Sequence, residues 1–226
     1  MINALAANVE RLKRITGGST SCGWMYDEVA FLLYSLVKFY KPDVVIQTGH
    51  LWGKSACVVL EALTDGFLGA RGGLEQHEQN QHEKFNTFVR ERTPKQCNAP
   101  RMISVDPWPH LMDVAHPYDG VEMLKRLYPG QFEFHKAKSA DFFAQFNEDL
   151  SGQRVMGVVD GDHSPEGCLL DLEHFARLKC VLMLVDDTLW LPELKAVAEQ
   201  FAAERGYNFL NLDLYNGMGV LTRKTR

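Results

Sequence analysis

The sequence contains no Cys-x-x-Cys pair, and its five cysteines, Cys22, Cys57, Cys97, Cys168 and Cys180, are an odd number. That pattern disfavours a disulfide frame or a cysteine-ligated zinc and predicts reduced thiols in a cytoplasmic protein. Cys57 and Cys180 lie in apolar runs and read as small core residues. No run approaches the ~18 consecutive apolar residues of a membrane span. Basic residues are scattered, RLKR (11–14) being too short for a patch, and the net charge is -5. Nucleic-acid binding that relies on neutralising phosphates is therefore not expected. The opening MINALAANVERLKR lacks a basic start followed by an apolar core and reads as a helix, not a signal peptide. The dinucleotide fingerprint G-x-G-x-x-G is also missing. DVVIQTGHLWGKSACVVLEAL (43–63) resembles a P-loop only superficially. Three residues separate Gly49 from Gly53 where a P-loop needs four, and Thr48 stands in the place of the first glycine.

With 226 residues, 46% of them apolar and 23% charged, the chain fits one well-buried α/β domain spanning 1–226. DEVAFLLYSLVKFY (27–40) has helical spacing, with Asp27 as a plausible cap, and Pro42 breaks it. DVVIQT, RMISVD (101–106), QFEFHKA (131–137), VMGVVD (155–160) and CVLMLVD (180–186) read as buried strands. Helices are expected at 53–63, 120–128, 140–148, 164–178 and 191–205. Alternation of this kind predicts βαβ units and a parallel sheet covered on both faces. The tail YNFLNLDLYNGMGVLTRK alternates twice about Asn216-Gly217, a terminal antiparallel pair that makes seven strands. The polar, glutamine-rich interval at 66–100 reads as an insertion with a helix near 76–92. It is either a lid or oligomer contact, or a solvated surface element. His77 and His82 are one step off the spacing that would aim both at one metal.

Ligands of open parallel sheets bind at the carboxyl ends of the strands. Here those ends carry Gln47-Thr48-Gly49, Asp106, Asp160-Gly161-Asp162-His163 and Asp186-Asp187. A helix cap is the ordinary explanation for one such Asp, but less so for a set on several strands. Asp106 suits the two hydroxyls of a ribose, Gly49 and Gly53 a close backbone approach to the ligand, and Ser139 a base. Asp160, Asp186 and Asp187 come from neighbouring strands and repel unless a cation such as Mg²⁺ or protons neutralise them. His163, three residues past Asp160, is a candidate base at the rim.

The ordered set Q-T-G-x-x-x-G-K-S, S-V-D-P, A-K-S-A, V-V-D-G-D-H-S and L-V-D-D-T-L-W resembles the class I S-adenosylmethionine-dependent methyltransferases. Within them it is similar to the metal-dependent O-methyltransferases of the catechol and caffeoyl-CoA types and to the D-G-D-H group of sugar- and antibiotic-tailoring enzymes. The resemblance covers roughly residues 23–222. It implies a Rossmann-like doubly wound α/β fold: a seven-stranded sheet, mostly parallel, with a C-terminal antiparallel strand. It implies that Gln47, Gly49 and Ser55 hold the methionine part of the cofactor, Asp106 the ribose and Ser139 the adenine, with Asp160 also at the cofactor. Asp160, Asp186 and Asp187 would hold the divalent metal, and GWMYDE (23–28) would close over the site. Where the family commonly has glutamate this chain has Gln47, which still accepts a hydrogen bond from the cofactor's ammonium but brings no charge.

The expected activity is methyl transfer to a small-molecule hydroxyl, with the metal lowering the hydroxyl's pKa and His163 taking its proton. Trp52, Trp108 and Trp190 are candidates for an aromatic-tolerant pocket or for packing. A homo-oligomer is compatible with the sequence. Two other readings remain open: a cofactor-binding protein without turnover, and an NAD-dependent oxidoreductase.

Overall fold

The computed structural model describes residues 27–50, 53–68, 100–107 and 120–224. Its elements run α1 (Asp27–Tyr40), β1 (Val44–Thr48), α2 (Lys54–Leu68), β2 (Arg101–Val105), α3 (Gly120–Leu127), β3 (Phe132–His135), α4 (Ser139–Gln145), β4 (Val155–Val159), α5 (Pro165–Arg177), β5 (Leu182–Asp186), α6 (Pro192–Arg205), β6 (Tyr207–Leu212) and β7 (Met218–Arg223).

The strands form one seven-stranded sheet in the order β3-β2-β1-β4-β5-β7-β6. The first five are parallel, and β7 runs antiparallel between β5 and β6. Every residue of β1 and β4 is buried, as expected for central strands covered on both faces. Alternate side chains supply two cores. Val45, Met102, Met156 and Leu184 pack with α1, α2 and α3 on one face. Val44, Ile46, Ile103, Val159 and Val185 pack with α4, α5 and α6 on the other. The doubly wound sheet, mostly parallel with an antiparallel C-terminal strand, is therefore present.

Some boundaries differ from expectation. β3 is shorter than 131–137, because only Phe132–His135 pairs with β2. Helix α2 runs to Leu68, five residues beyond the expected end. Thr64 does not interrupt it, since its hydroxyl donates back to the Leu60 carbonyl at 2.8 Å. Cys57, Cys168 and Cys180 are buried free thiols, as the apolar runs around the first and last implied. The interval 69–99 lies outside the described residues, along with His77, His82, Trp52, Trp108, Cys22, Cys97 and 23–26. No helix among the described residues is long and apolar enough to cross a membrane.

Candidate active site

From β1 the chain proceeds outward through β2 and β3, then returns to β4 on the other side of β1. This reversal is a topological switch point, and the crevice outside the carboxyl ends of the two strands there, β1 and β4, is the usual ligand position in open α/β sheets. The loop after β1 is packed tightly against the loop after β4. Gly49 N–H donates to Val105 O at 2.8 Å, and Asp160 N–H donates to Thr48 O at 3.0 Å. Gly49 has φ +84°, and a Cβ there would lie 1.8 Å from the Asp160 carbonyl oxygen. Glycine was expected here to admit a ligand, but the nearer requirement is contact between two backbone segments. Gly53, at φ +78°, meets its own loop: a Cβ would lie 2.9 Å from the His50 ring.

Gln47 is fully buried beneath this loop. Its Nε2 donates to Gly49 O and to Ser55 Oγ, both at 2.6 Å, while its Oε1 has no partner. An acceptor withdrawn from water without a donor costs roughly 1–3 kcal/mol, so this oxygen calls for a donor. On the β2 side, Asp106 Oδ2 accepts the His50 N–H at 2.8 Å, which ties the glycine loop to the end of β2.

Two residues that the sequence reading passed over organise these groups. The buried His50 ring places Nδ1 2.9 Å from Ser104 Oγ and packs against Phe132 and Phe134, with ring centroids 5.7 and 5.1 Å away. The only available signal was Ser104, a polar residue inside the apolar run of β2. The other is Asp171, fully buried on α5, with no hydrogen bond to either carboxylate oxygen. Burial raises its pKa, opposed by the hydroxyls of Thr48 and Ser139, which approach without closing to full hydrogen-bond geometry. Ser139, expected to face a base, thus has a protein carboxylate on one side.

The acids after β4 and β5 do crowd together. Burial lifts Asp160 well above the usual carboxylate range, and the charges of Asp186, Asp187 and Asp106 lift it further. Asp186 is pushed up to about 6, by burial first and then by Asp187, against the Asp187 N–H bonded to it and the charge of His163. Asp187 has φ 60°, and its side chain turns to His163, with Nδ1 3.1 Å from Oδ2. The hydrogen bond to Asp187 raises the His163 pKa, against the opposing effect of burial. The imidazole stands at the rim, 40% exposed.

A divalent metal fits this set only partly. The carboxylates have the hard-oxygen chemistry such an ion needs. Among the described residues, however, no three acid, histidine or cysteine side chains converge on one point, and Asp187 Oδ2 is engaged by His163. The expected centre at Asp160, Asp186 and Asp187 is therefore not assembled by these side chains as they stand.

No family model matches the chain, and no curated protein does. Solved structures do match. The SAH-bound methyltransferase of Podospora anserina is 11% identical with a TM-score of 0.60, over 98% of this chain and 88% of that one. The Bacillus cereus O-methyltransferase, in complex with SAH, is 12% identical with a TM-score of 0.61, over 96% and 91%. The Streptomyces achromogenes O-methyltransferase involved in tomaymycin synthesis, in complex with SAM, is 11% identical with a TM-score of 0.61, over 98% and 90%. This chain has the methyltransferase fold.

In that fold, the residues read from the ordered motifs do gather at one end of the sheet. Gln47, Gly49 and Ser55 form one cluster, and Asp160, Asp186, Asp187 and His163 form another. Asp106 links the two, through the His50 N–H on one side and its charge on Asp160 on the other. Trp190 is 60% exposed just past the second cluster.

Proposed function

We propose that this protein is an S-adenosylmethionine-dependent methyltransferase acting on a small-molecule hydroxyl, with His163 as the base and Asp187 as its partner. The observation that carries the cofactor reading is the unpartnered Gln47 Oε1, buried beside the crevice between β1 and β4. It suits a cationic donor such as the ammonium of a methionine tail. Asp106 would take the ribose hydroxyls, and Ser55 keeps the Gln47 amide oriented by accepting from Nε2. The bound cofactor would supply an electrophilic methyl group.

The protein's own chemistry is proton removal and placement. With Nδ1–H donating to Asp187, the neutral His163 ring presents the Nε2 lone pair to a substrate hydroxyl. Proton uptake at Nε2 makes an imidazolium, and the Asp187 carboxylate stabilises that charge. Holding the hydroxyl in line with the methyl group would supply much of the remaining acceleration. No step is routed through a metal, because the acids do not converge. The buried thiols, with Cys168 pushed up to about 12 by burial, suit a reducing, cytoplasmic setting.

Calorimetric titration tests the reading. SAH should bind and NAD should not, and a panel of hydroxyl compounds should accept label from methyl-labelled cofactor. NAD binding without SAH binding would sink it. Tight SAH binding with no turnover on any hydroxyl would leave only a cofactor-binding protein.

A further inference from the structure

A second hollow lies at the opposite end of the sheet, where the parallel strands begin. It is a cleft of about 1060 Å³ whose lining includes Tyr40, Arg154, Arg205, Tyr207, Arg223 and Lys224. Strand β4 has five residues at about 3.3 Å each, which puts this cleft roughly 16 Å from the crevice at the other end of β4. The two cannot share one small ligand.

The cleft concentrates positive charge on a chain whose net charge is -5. Arg205 is paired with Glu173, with nitrogen–oxygen distances of 3.1 and 2.6 Å. Among the described residues no carboxylate lies within ion-pair distance of the Arg154, Arg223 or Lys224 side chains. Asp43 is close, but its Oδ2 accepts the backbone N–H of Arg154 at 2.8 Å. Helices α1 and α6 end here, and their terminal carbonyls offset part of the charge. Arg154, Arg223 and Lys224 do not lie on helices, so capping a helix end does not explain them.

The backbones carrying these cations are fixed. The Arg154 carbonyl accepts from Asp43 N–H and Val44 N–H, and Lys224 N–H donates to Gly206 O at 3.2 Å. Arg223 is held opposite Tyr207 in the β6–β7 pairing, with its charge acting on the buried Tyr207 ring. Preformed positions lower the entropy lost when the side chains close on a ligand.

We propose that this cleft binds a small phosphorylated molecule carrying at least two negative charges, at a site distinct from the methyl-transfer crevice. Guanidinium forks match phosphate oxygens in pairs, and three of the four cations are arginines. The volume suits a small molecule. An extended polyanion such as nucleic acid would need a broad basic surface, which a net charge of -5 disfavours.

The test is calorimetric titration of the full chain with pyrophosphate at constant ionic strength set by chloride. Wild type should bind saturably with one molecule per chain. R154Q and R223Q should each weaken binding by about tenfold or more, the scale of a lost charge-assisted hydrogen bond. Both positions are exposed, so their melting temperatures should stay at the wild-type value. K224Q, at another exposed position, gives a second reading should either arginine variant fold poorly. D106A, altered in the crevice, should bind pyrophosphate like wild type. Absence of saturable binding overturns the proposal. So does full binding by all three cleft variants, or loss of binding in D106A.

Discussion

Replacing Asp187 with Asn isolates the contribution of the His163 partner. Asn tolerates the left-handed backbone that Asp187 adopts at φ 60°, so the turn after β5 survives. The exchange removes the carboxylate charge 3.1 Å from Nδ1. A buried charge-assisted hydrogen bond contributes about 1.5–3 kcal/mol, but the His163 side chain is 40% exposed and solvent screens the pair. About 1 kcal/mol is the reasonable share, which corresponds to roughly fivefold in turnover if the imidazolium forms in the transition state. The direction of the pH effect is firmer. Asp187 raises the His163 pKa, so the wild-type rate should rise with pH through a midpoint above the ordinary 6.5, and in D187N that midpoint should move down. Stability has the opposite slope. A raised folded pKa means that the pair stabilises the fold fully below about 6.5, and this contribution fades as pH rises through the folded value. The excess melting temperature of wild type over D187N should therefore shrink across that window. Rate–pH profiles and NMR titration of the His163 ring provide the assay. An unmoved midpoint in both would refute the dyad.

Three further outcomes follow from the crevice. Gly49→Ala should lower stability far more than Gly130→Ala, by urea unfolding. Both have positive φ, costing about 1–2 kcal/mol for an L side chain, but only at Gly49 does the new Cβ meet a carbonyl oxygen, at 1.8 Å. Gln47→Leu and Asp106→Ala should each weaken SAH by roughly 1–3 kcal/mol in calorimetry; unchanged affinity in both would misplace the cofactor. His163→Ala should reduce turnover by about 10²–10⁴-fold with little change in SAH affinity, and a variant with full rate would remove it from the mechanism.

Much of the fold was legible because the central strands are covered on both faces, so each appears as a short apolar run between helices. The position of β7 was not read, although the residues carry it. MGVL is buried along its length, while YNFLNL is only partly buried, so β7 takes the interior place beside β5 and β6 the edge. At the site, chain position alone placed Asp106, Asp160 and Asp186 at strand ends. What stayed hidden were contacts made across the chain. His163 meets Asp187 because one residue turns left-handed, and His50 is fixed by Ser104 and Phe134, far away in sequence. Spacing within one segment carries no information about such pairs. It also cannot show that Gly49 is packed against the Asp160 backbone.

The acids after β4 and β5 allow one more prediction, because a proton and a cation compete for them. Asp160 is held well above the usual carboxylate range by burial and its neighbours, which favours its protonated form, and Asp186 is pushed up to about 6. A protonated carboxylic acid is a poor ligand for a hard cation, and Asp187 Oδ2 is already committed to His163. A divalent ion would have to overcome the bias towards the proton at Asp160 and compete with the imidazole for Asp187. Its affinity should then rise with pH, and its binding should lower the His163 pKa by withdrawing the partner's charge. The expected outcome is that EDTA leaves turnover essentially unchanged, and that added Mg²⁺ does not shift the rate–pH midpoint. Loss of turnover in EDTA, restored by Mg²⁺, would mean that the ion gathers Asp160, Asp186 and Asp187 about itself. In that case activation of the hydroxyl passes to the metal, and the His163–Asp187 pair describes only the metal-free protein.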